Sequence, residues 1–169
     1  NGWDDKFDTD NGFSGKIQYG LSIRDPRIAD TSQSNGFESD NCADGSLVSP
    51  YTTAVFSNIT FIGPLGRDAG FTNDESYINA GSFNPNNGSA LGKFQSAMQI
   101  RRSSRLNCFN SVAVGYPVGL IIDGEKGNTV EQAQEGIINL QNIWFAGMTV
   151  TGSDANKVYD DVLYDAVNK

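Results

Sequence analysis

The sequence predicts an all-β fold built as a parallel β-helix, a coiled stack of about four rungs with long inserted loops and a C-terminal capping α-helix. Three observations carry this. Phe7-Asp8-Thr9-Asp10-Asn11 recurs as Phe37-Glu38-Ser39-Asp40-Asn41, with every position identical or conservatively replaced. Each copy is followed by an alternating apolar run that closes on a proline, a period-2 pattern proper to short strands. Valine and isoleucine together number 22 against 8 leucines, which favours strands. The 19 glycines and 17 asparagines supply the residues that best tolerate tight turns. An antiparallel sandwich also uses short strands, but it leaves the repeated segment unexplained.

The elements follow in order. A first-position strand is expected over 5–11, where Phe7, Thr9 and Asn11 share one face, and a second-position strand over 16–24, ending before Pro26. The copy at 36–41 opens the next rung, and 54–62, ending before Pro64, closes it. Residues 66–95, rich in Asn, Gly and Asp, read as an inserted loop. Strands are expected again over 97–103, 108–114, 119–123 and 137–146. Phe56-Ser-Asn58-Ile59-Thr-Phe61, Phe109-Asn-Ser111-Val112-Ala-Val114 and Leu140-Gln-Asn142-Ile143-Trp-Phe145 share one pattern: apolar, polar, Asn or Ser, apolar, any, apolar, then glycine. Stacking in rungs about 4.8 Å apart turns Phe7, Ile17, Phe37, Ile59, Ile100, Val112, Leu120, Ile122 and Ile143 inward. Trp3 is expected in the core and Trp144 on the outside. From Ser153, Ala155, Val158, Tyr159, Val162, Leu163 and Ala166 fall on one helical face. The chain thus divides into rungs over 1–152 and a capping helix over 153–169, with a bare edge at the first strand that invites edge-to-edge self-association.

Composition excludes several functions. There is no histidine, so Ser-His-Asp and Cys-His catalysis and histidine-ligated zinc are ruled out. Twelve Lys and Arg against 20 Asp and Glu give a net charge of −8, which argues against nucleic acid and against an anionic membrane surface. No apolar run approaches the length of a transmembrane helix.

Four segments, in this order, carry a family resemblance: Trp3-Asp-Asp-Lys-Phe-Asp-Thr-Asp-Asn-Gly12, Ser34-Asn-Gly-Phe-Glu-Ser-Asp-Asn41, Ala54-Val-Phe-Ser-Asn-Ile-Thr-Phe-Ile-Gly-Pro64, and Ile100-Arg-Arg-Ser103 with Gly119-Leu-Ile-Ile-Asp-Gly124. Together they resemble a family of secreted or outer-surface proteins, many of them lipoproteins, from Gram-negative gut-type bacteria. The resemblance covers residues 3–150 and implies a right-handed parallel β-helix, a secreted or outer cell-surface location, and a piece from the C-terminal part of a longer chain. It implies no catalytic residues.

The candidate chemistry lies in the repeated acidic segment. The repeat places Asp8 beside Glu38 and Asp10 beside Asp40 on adjacent rungs, pointing outward together. These four carboxylates read as a solvated acidic face, as a site for Ca²⁺ with its preference for several oxygens, or as an acid–base pair able to hydrolyse glycosides. No cofactor is required; Ca²⁺ is the one the cluster would accept. Arg101 and Arg102 read either as partners that offset the acidic rung or as contacts for an acidic sugar. Phe71, Tyr77 and Phe83 in the inserted loop read as packing against the wall or as platforms for sugar rings. Cys42 and Cys108, near one corner of adjacent rungs, are expected to form a disulfide. The leading expectation is a non-catalytic extracytoplasmic module, a scaffold or a glycan- or protein-binding element. The alternative is a polysaccharide-active hydrolase or lyase using the stacked carboxylates, and against it stands the missing histidine.

Overall fold

The computed structural model describes residues 3–30, 32–74, 77–78 and 93–148. Ten strands follow in order: β1 Phe7–Thr9, β2 Lys16–Gln18, β3 Leu21–Ile23, β4 Phe37–Ser39, β5 Val55–Ser57, β6 Thr60–Ile62, β7 Ser96–Ile100, β8 Asn107–Val114, β9 Val118–Ile122 and β10 Leu140–Ala146. Every pairing between them is parallel. Sheet one runs β1-β4-β7-β9. The remaining strands wrap into a second wall in which β8 pairs first with β5 and then with β6 along its length, and β10 pairs with β8. Curled, all-parallel sheets of this kind are those of a parallel β-helix. Among the described residues, the short helices α1 Pro64–Arg67 and α2 Thr129–Gln134 interrupt the strands. Neither was expected from periodicity, since each is under two turns long. The expected capping helix over 153–169 lies outside the described residues.

The repeat behaves as the sequence predicts. Phe7 pairs with Phe37, Asp8 with Glu38 and Thr9 with Ser39, and the register continues through Met98 to Leu120. Phe37, fully buried, meets Phe56 and Phe61 from the opposite wall edge-on at 5.1 and 5.8 Å between ring centroids. Such pairs add about 0.5–1.5 kcal/mol to the area they bury. Gly36 has room for no side chain, because a Cβ there would come within 2.3 Å of the Ala97 carbonyl oxygen on the next rung.

The second-position strands depart from expectation in one respect: each bends midway. The bends fall at Tyr19, Asn58, Asn110 and Asn142, with φ of 57°, 57°, 50° and 56°. Asparagine tolerates this left-handed backbone better than other side-chain residues. Asn142 Nδ2 donates to Asn110 Oδ1 at 3.0 Å, one rung to the next. The pairing aligns Asn58 with Asn110, so the middle copy of the three-run motif is displaced by one residue from the expected alignment. Because strand side chains alternate, that single step reverses the faces. Ser111, not Val112, points inward; Ser111 is fully buried and Val112 is 38% exposed. The Ser111 hydroxyl accepts the Ile59 backbone N–H at 3.1 Å. The other eight residues expected inside all belong to or pack against the main core, and Trp144 is outside, as expected.

The two cysteines are free thiols rather than a disulfide. Cys108 is buried in the inner column that its pairing with Phe56 and Leu140 defines. Burial pushes its thiol up to about 11. Cys42 is half-buried at a turn, where its carbonyl accepts from Gly45.

Candidate functional site: the outer face of the first sheet

Alternation along β1, β4, β7 and β9 puts Phe7, Phe37, Met98 and Leu120 inside and their neighbours outside. The outward row is Asp8, Glu38, Gln99 and Ile121. Two residues further along each strand stand Asp10, Asp40, Arg101 and Asp123, where the backbone ladder continues: Asp40 N donates to Thr9 O, Arg101 N to Ser39 O and Asp123 N to Ile100 O, each at 2.9 Å.

Two hydrogen-bonded chains cross this face. In the first, Arg101 Nη2 donates to Glu38 Oε2 at 2.5 Å and Arg101 Nε to Asp40 Oδ1 at 2.8 Å, while Arg102 Nη1 donates to Asp40 Oδ2 at 2.9 Å. Arg102 sits at φ 51°, two residues after the end of β7, where the chain turns. In the second, the Asn35 backbone N–H donates to Asp5 Oδ1 at 2.5 Å, Asn35 Nδ2 donates to Gln99 Oε1 at 3.1 Å, and Gln99 Nε2 donates to Asp123 Oδ2 at 3.3 Å. Asn35 is itself locked, since its Oδ1 accepts from both the backbone and the hydroxyl of Ser96.

The face is graded in exposure. Asp8 and Asp10 are open to solvent, Glu38, Arg101 and Arg102 are half-buried, and Asp40, Gln99 and Asp123 are buried although they project outward. Burial, reinforced by Asp5, Asp40 and Asp8 and opposed by Arg101, pushes Glu38 up to about 8. Burial and then the neighbouring Asp4 push Asp5 up to about 7 against the hydrogen bonds from Asn35. Asp8, although its side chain is open to solvent, is raised by partial desolvation against the sheet and then by Asp10 and Asp40. Asp123 is raised chiefly by burial. Glu38 and Asp5 hold protons near neutrality, because burial in a poorly hydrated place, reinforced by neighbouring carboxylates, disfavours the ionised forms.

The sequence-predicted residues separate on this geometry. Asp8, Asp10, Glu38, Asp40, Arg101 and Arg102 lie on one face. The calcium cage expected of the four carboxylates is not assembled: among the described residues no group of three or more Asp, Glu or Cys side chains converges to hold a metal ion. The oxygens of Glu38 and Asp40 turn instead to the guanidinium groups of Arg101 and Arg102. Phe71 is not a sugar platform. It is 8% exposed in a satellite core with Ala29, Ile78 and Phe94, edge-on to Phe94 at 5.6 Å and to Tyr77 at 5.3 Å. Tyr77 packs on that core, with its hydroxyl on Asp68 and the Arg27 guanidinium 5.5 Å from its ring centroid. Phe83 lies outside the described residues. Sequence reasoning missed Asp5, Asn35, Gln99 and Asp123. The signal was present for Gln99 and Asp123, which stand at the same two positions of their strands as Glu38 and Asp40.

A family model described as pectate-lyase like beta helix domain matches residues 1–168. No curated protein and no solved structure matches the chain. Among the described residues no helix is long and apolar enough to cross a membrane.

Proposed function

The chain belongs to the pectate-lyase-like β-helix domain family, and from that premise we propose that it is an extracytoplasmic, non-catalytic module that holds a glycan against the outer face of its first sheet. The observation that carries this reading is the pair of hydrogen-bonded chains, Glu38–Arg101–Asp40–Arg102 and Asp5–Asn35–Gln99–Asp123. The half-buried Glu38, Arg101 and Arg102 and the open Asp8 and Asp10, at rung spacing of about 4.8 Å, offer donors and acceptors suited to the hydroxyls of successive sugars, while the buried Asp40, Asn35, Gln99 and Asp123 hold them in place. Bonds within the two chains fix their members before any ligand arrives, which lowers the ordering cost of binding. Family membership is compatible with a polysaccharide-related role.

One observation favours a second reading, in which the same face cleaves a polysaccharide. Glu38 and Asp5, held near 8 and 7, retain protons at neutral pH and so suit a general acid. The absence of histidine from the chain and the engagement of both Glu38 and Asp40 by arginines support binding over turnover.

The test is retention of the protein on a panel of neutral and acidic polysaccharides, with reducing ends and unsaturated products measured in the same samples. Retention without product is the expected result. Product formation that Glu38→Gln abolishes would establish the second reading, and no retention by any member of the panel would remove the first.

A further inference from the structure

The outer face of the first sheet is unbalanced in charge. Asp8 and Glu38 stand in one outward row and Asp10, Asp40 and Asp123 in the next, with Arg101 in the second row and Arg102 just beyond it. Both guanidinium charges are already met within the face. Arg101 directs Nε to Asp40 at 2.8 Å and Nη2 to Glu38 at 2.5 Å, and Arg102 directs Nη1 to the same Asp40 at 2.9 Å. Arg102 keeps nitrogens that can donate to a neutral oxygen, but a further carboxylate would have to share its charge with Asp40.

Asp8 and Asp10 differ from these. Both are exposed, and among the described residues neither side chain makes a hydrogen bond or an ion pair. An ionised carboxylate only accepts hydrogen bonds. A sugar hydroxyl can donate to it, and such charge-assisted bonds are roughly twice as strong as neutral ones. A sugar carboxylate is a second acceptor of the same sign and is repelled.

We infer that the face selects uncharged glycans and rejects polyuronates, with Asp8 and Asp10 as the residues that set this selectivity. This rests on the face being a glycan site, as proposed above. A neutral chain laid across the rungs meets Asp8 and Asp10 with its hydroxyls. A polyuronate brings one carboxylate with every sugar and finds no cation that Glu38 and Asp40 do not already hold. The repulsion reaches far in dilute salt, where the screening length is about 30 Å at 0.01 M, and only about 3 Å at 1 M.

Matched pairs of polysaccharides that differ only in charge test the selectivity. One pair is homogalacturonan as its methyl ester and as its free acid. The other is the neutral polysaccharide best retained by the protein, before and after oxidation of its C6 hydroxymethyl groups to carboxylates. Affinities are measured in 0.01 M and 1 M salt, with and without added Ca²⁺, for the wild type and for an Asp8→Asn, Asp10→Asn double variant. The acid member of a retained pair is expected to bind about tenfold or more weakly in dilute salt, and the gap to close to within about threefold in 1 M salt. The double variant should narrow the gap in dilute salt. Binding of the acid member as tight as the neutral one or tighter, with or without Ca²⁺, overturns the inference while leaving the glycan site standing. A gap that persists in 1 M salt or in the double variant overturns it too. Binding of neither member of either pair removes the glycan site itself, and this selectivity with it.

Discussion

Arg101 donates to Glu38 at 2.5 Å, across one rung of the first sheet, while burial pushes that same carboxyl up to about 8. The charge that would make the pair strongest is therefore only partly developed at neutral pH. Arg101 also holds Asp40, so its removal affects a half-buried and a buried acid together.

The first prediction concerns that arginine. Arg101→Gln leaves Glu38 and Asp40 without their main donor in a crowded acidic face, and is expected to cost about 1–3 kcal/mol, below the range for fully buried pairs because the partners keep some solvent contact. Urea denaturation measures it. In a double-mutant cycle, Glu38→Gln should recover part of the loss; strict additivity of the two changes would show that the pair contributes nothing jointly.

The second concerns pH. Glu38 and Asp5 stand near 8 and 7 in the folded protein, against ordinary values of 4.5 and 3.8. The native state then holds protons that the unfolded chain has released, so stability falls as pH rises between these limits. The contribution is complete below about pH 4 and lost as pH passes through 7 and 8. Melting temperatures across that range should decline toward alkaline pH, and Glu38→Gln should flatten the decline. A profile unchanged by Glu38→Gln would refute the assignment.

The acidic face was legible in the sequence because its first two rungs repeat a five-residue segment almost intact. Gln99 went unread because its rung keeps the position and changes the residue type: Met98-Gln99-Ile100-Arg101 shares no letter with Phe37-Glu38-Ser39-Asp40, and Asp123, although it repeats the aspartate of Asp40, follows the apolar run Val118–Ile122 instead of an acidic strand. The one-residue slip at β8 has a physical origin too. Asn110 and Ser111 are adjacent small polar residues, and either satisfies a motif written as Asn or Ser; only the backbone angle, left-handed at Asn110, distinguishes them. Tyr19 hid the bend between β2 and β3 because a tyrosine gives no hint of φ 57°. The expected disulfide failed because proximity to one corner says nothing of direction, and Cys108 points into the core.

The bends give a third prediction. Asn110→Val places a β-branched residue at φ 50° and removes the acceptor of Asn142 Nδ2. A destabilisation of about 2 kcal/mol is expected, whereas Asn110→Gly, free to adopt that backbone, should lose less. Equal losses for the two in urea denaturation would contradict the account of the ladder.

The fourth concerns the thiols. Cys108 is buried with its thiol held near 11, and Cys42 is half-buried. A thiol reagent at neutral pH should modify Cys42 in the native protein and both cysteines after denaturation without reductant, as read by intact mass. Failure of both to react in denatured, unreduced protein would mean a disulfide after all.

The central claim is that a glycan rests on the outer face of the first sheet. Calorimetric titration of the polysaccharide best retained by the wild type tests it most directly, using the wild type, Arg101→Gln and, as a control on another face, Leu21→Thr. The account predicts that Arg101→Gln weakens binding about tenfold or more while Leu21→Thr binds as the wild type does. Equal affinity of Arg101→Gln and the wild type, with both proteins folded at the temperature of measurement, would contradict it.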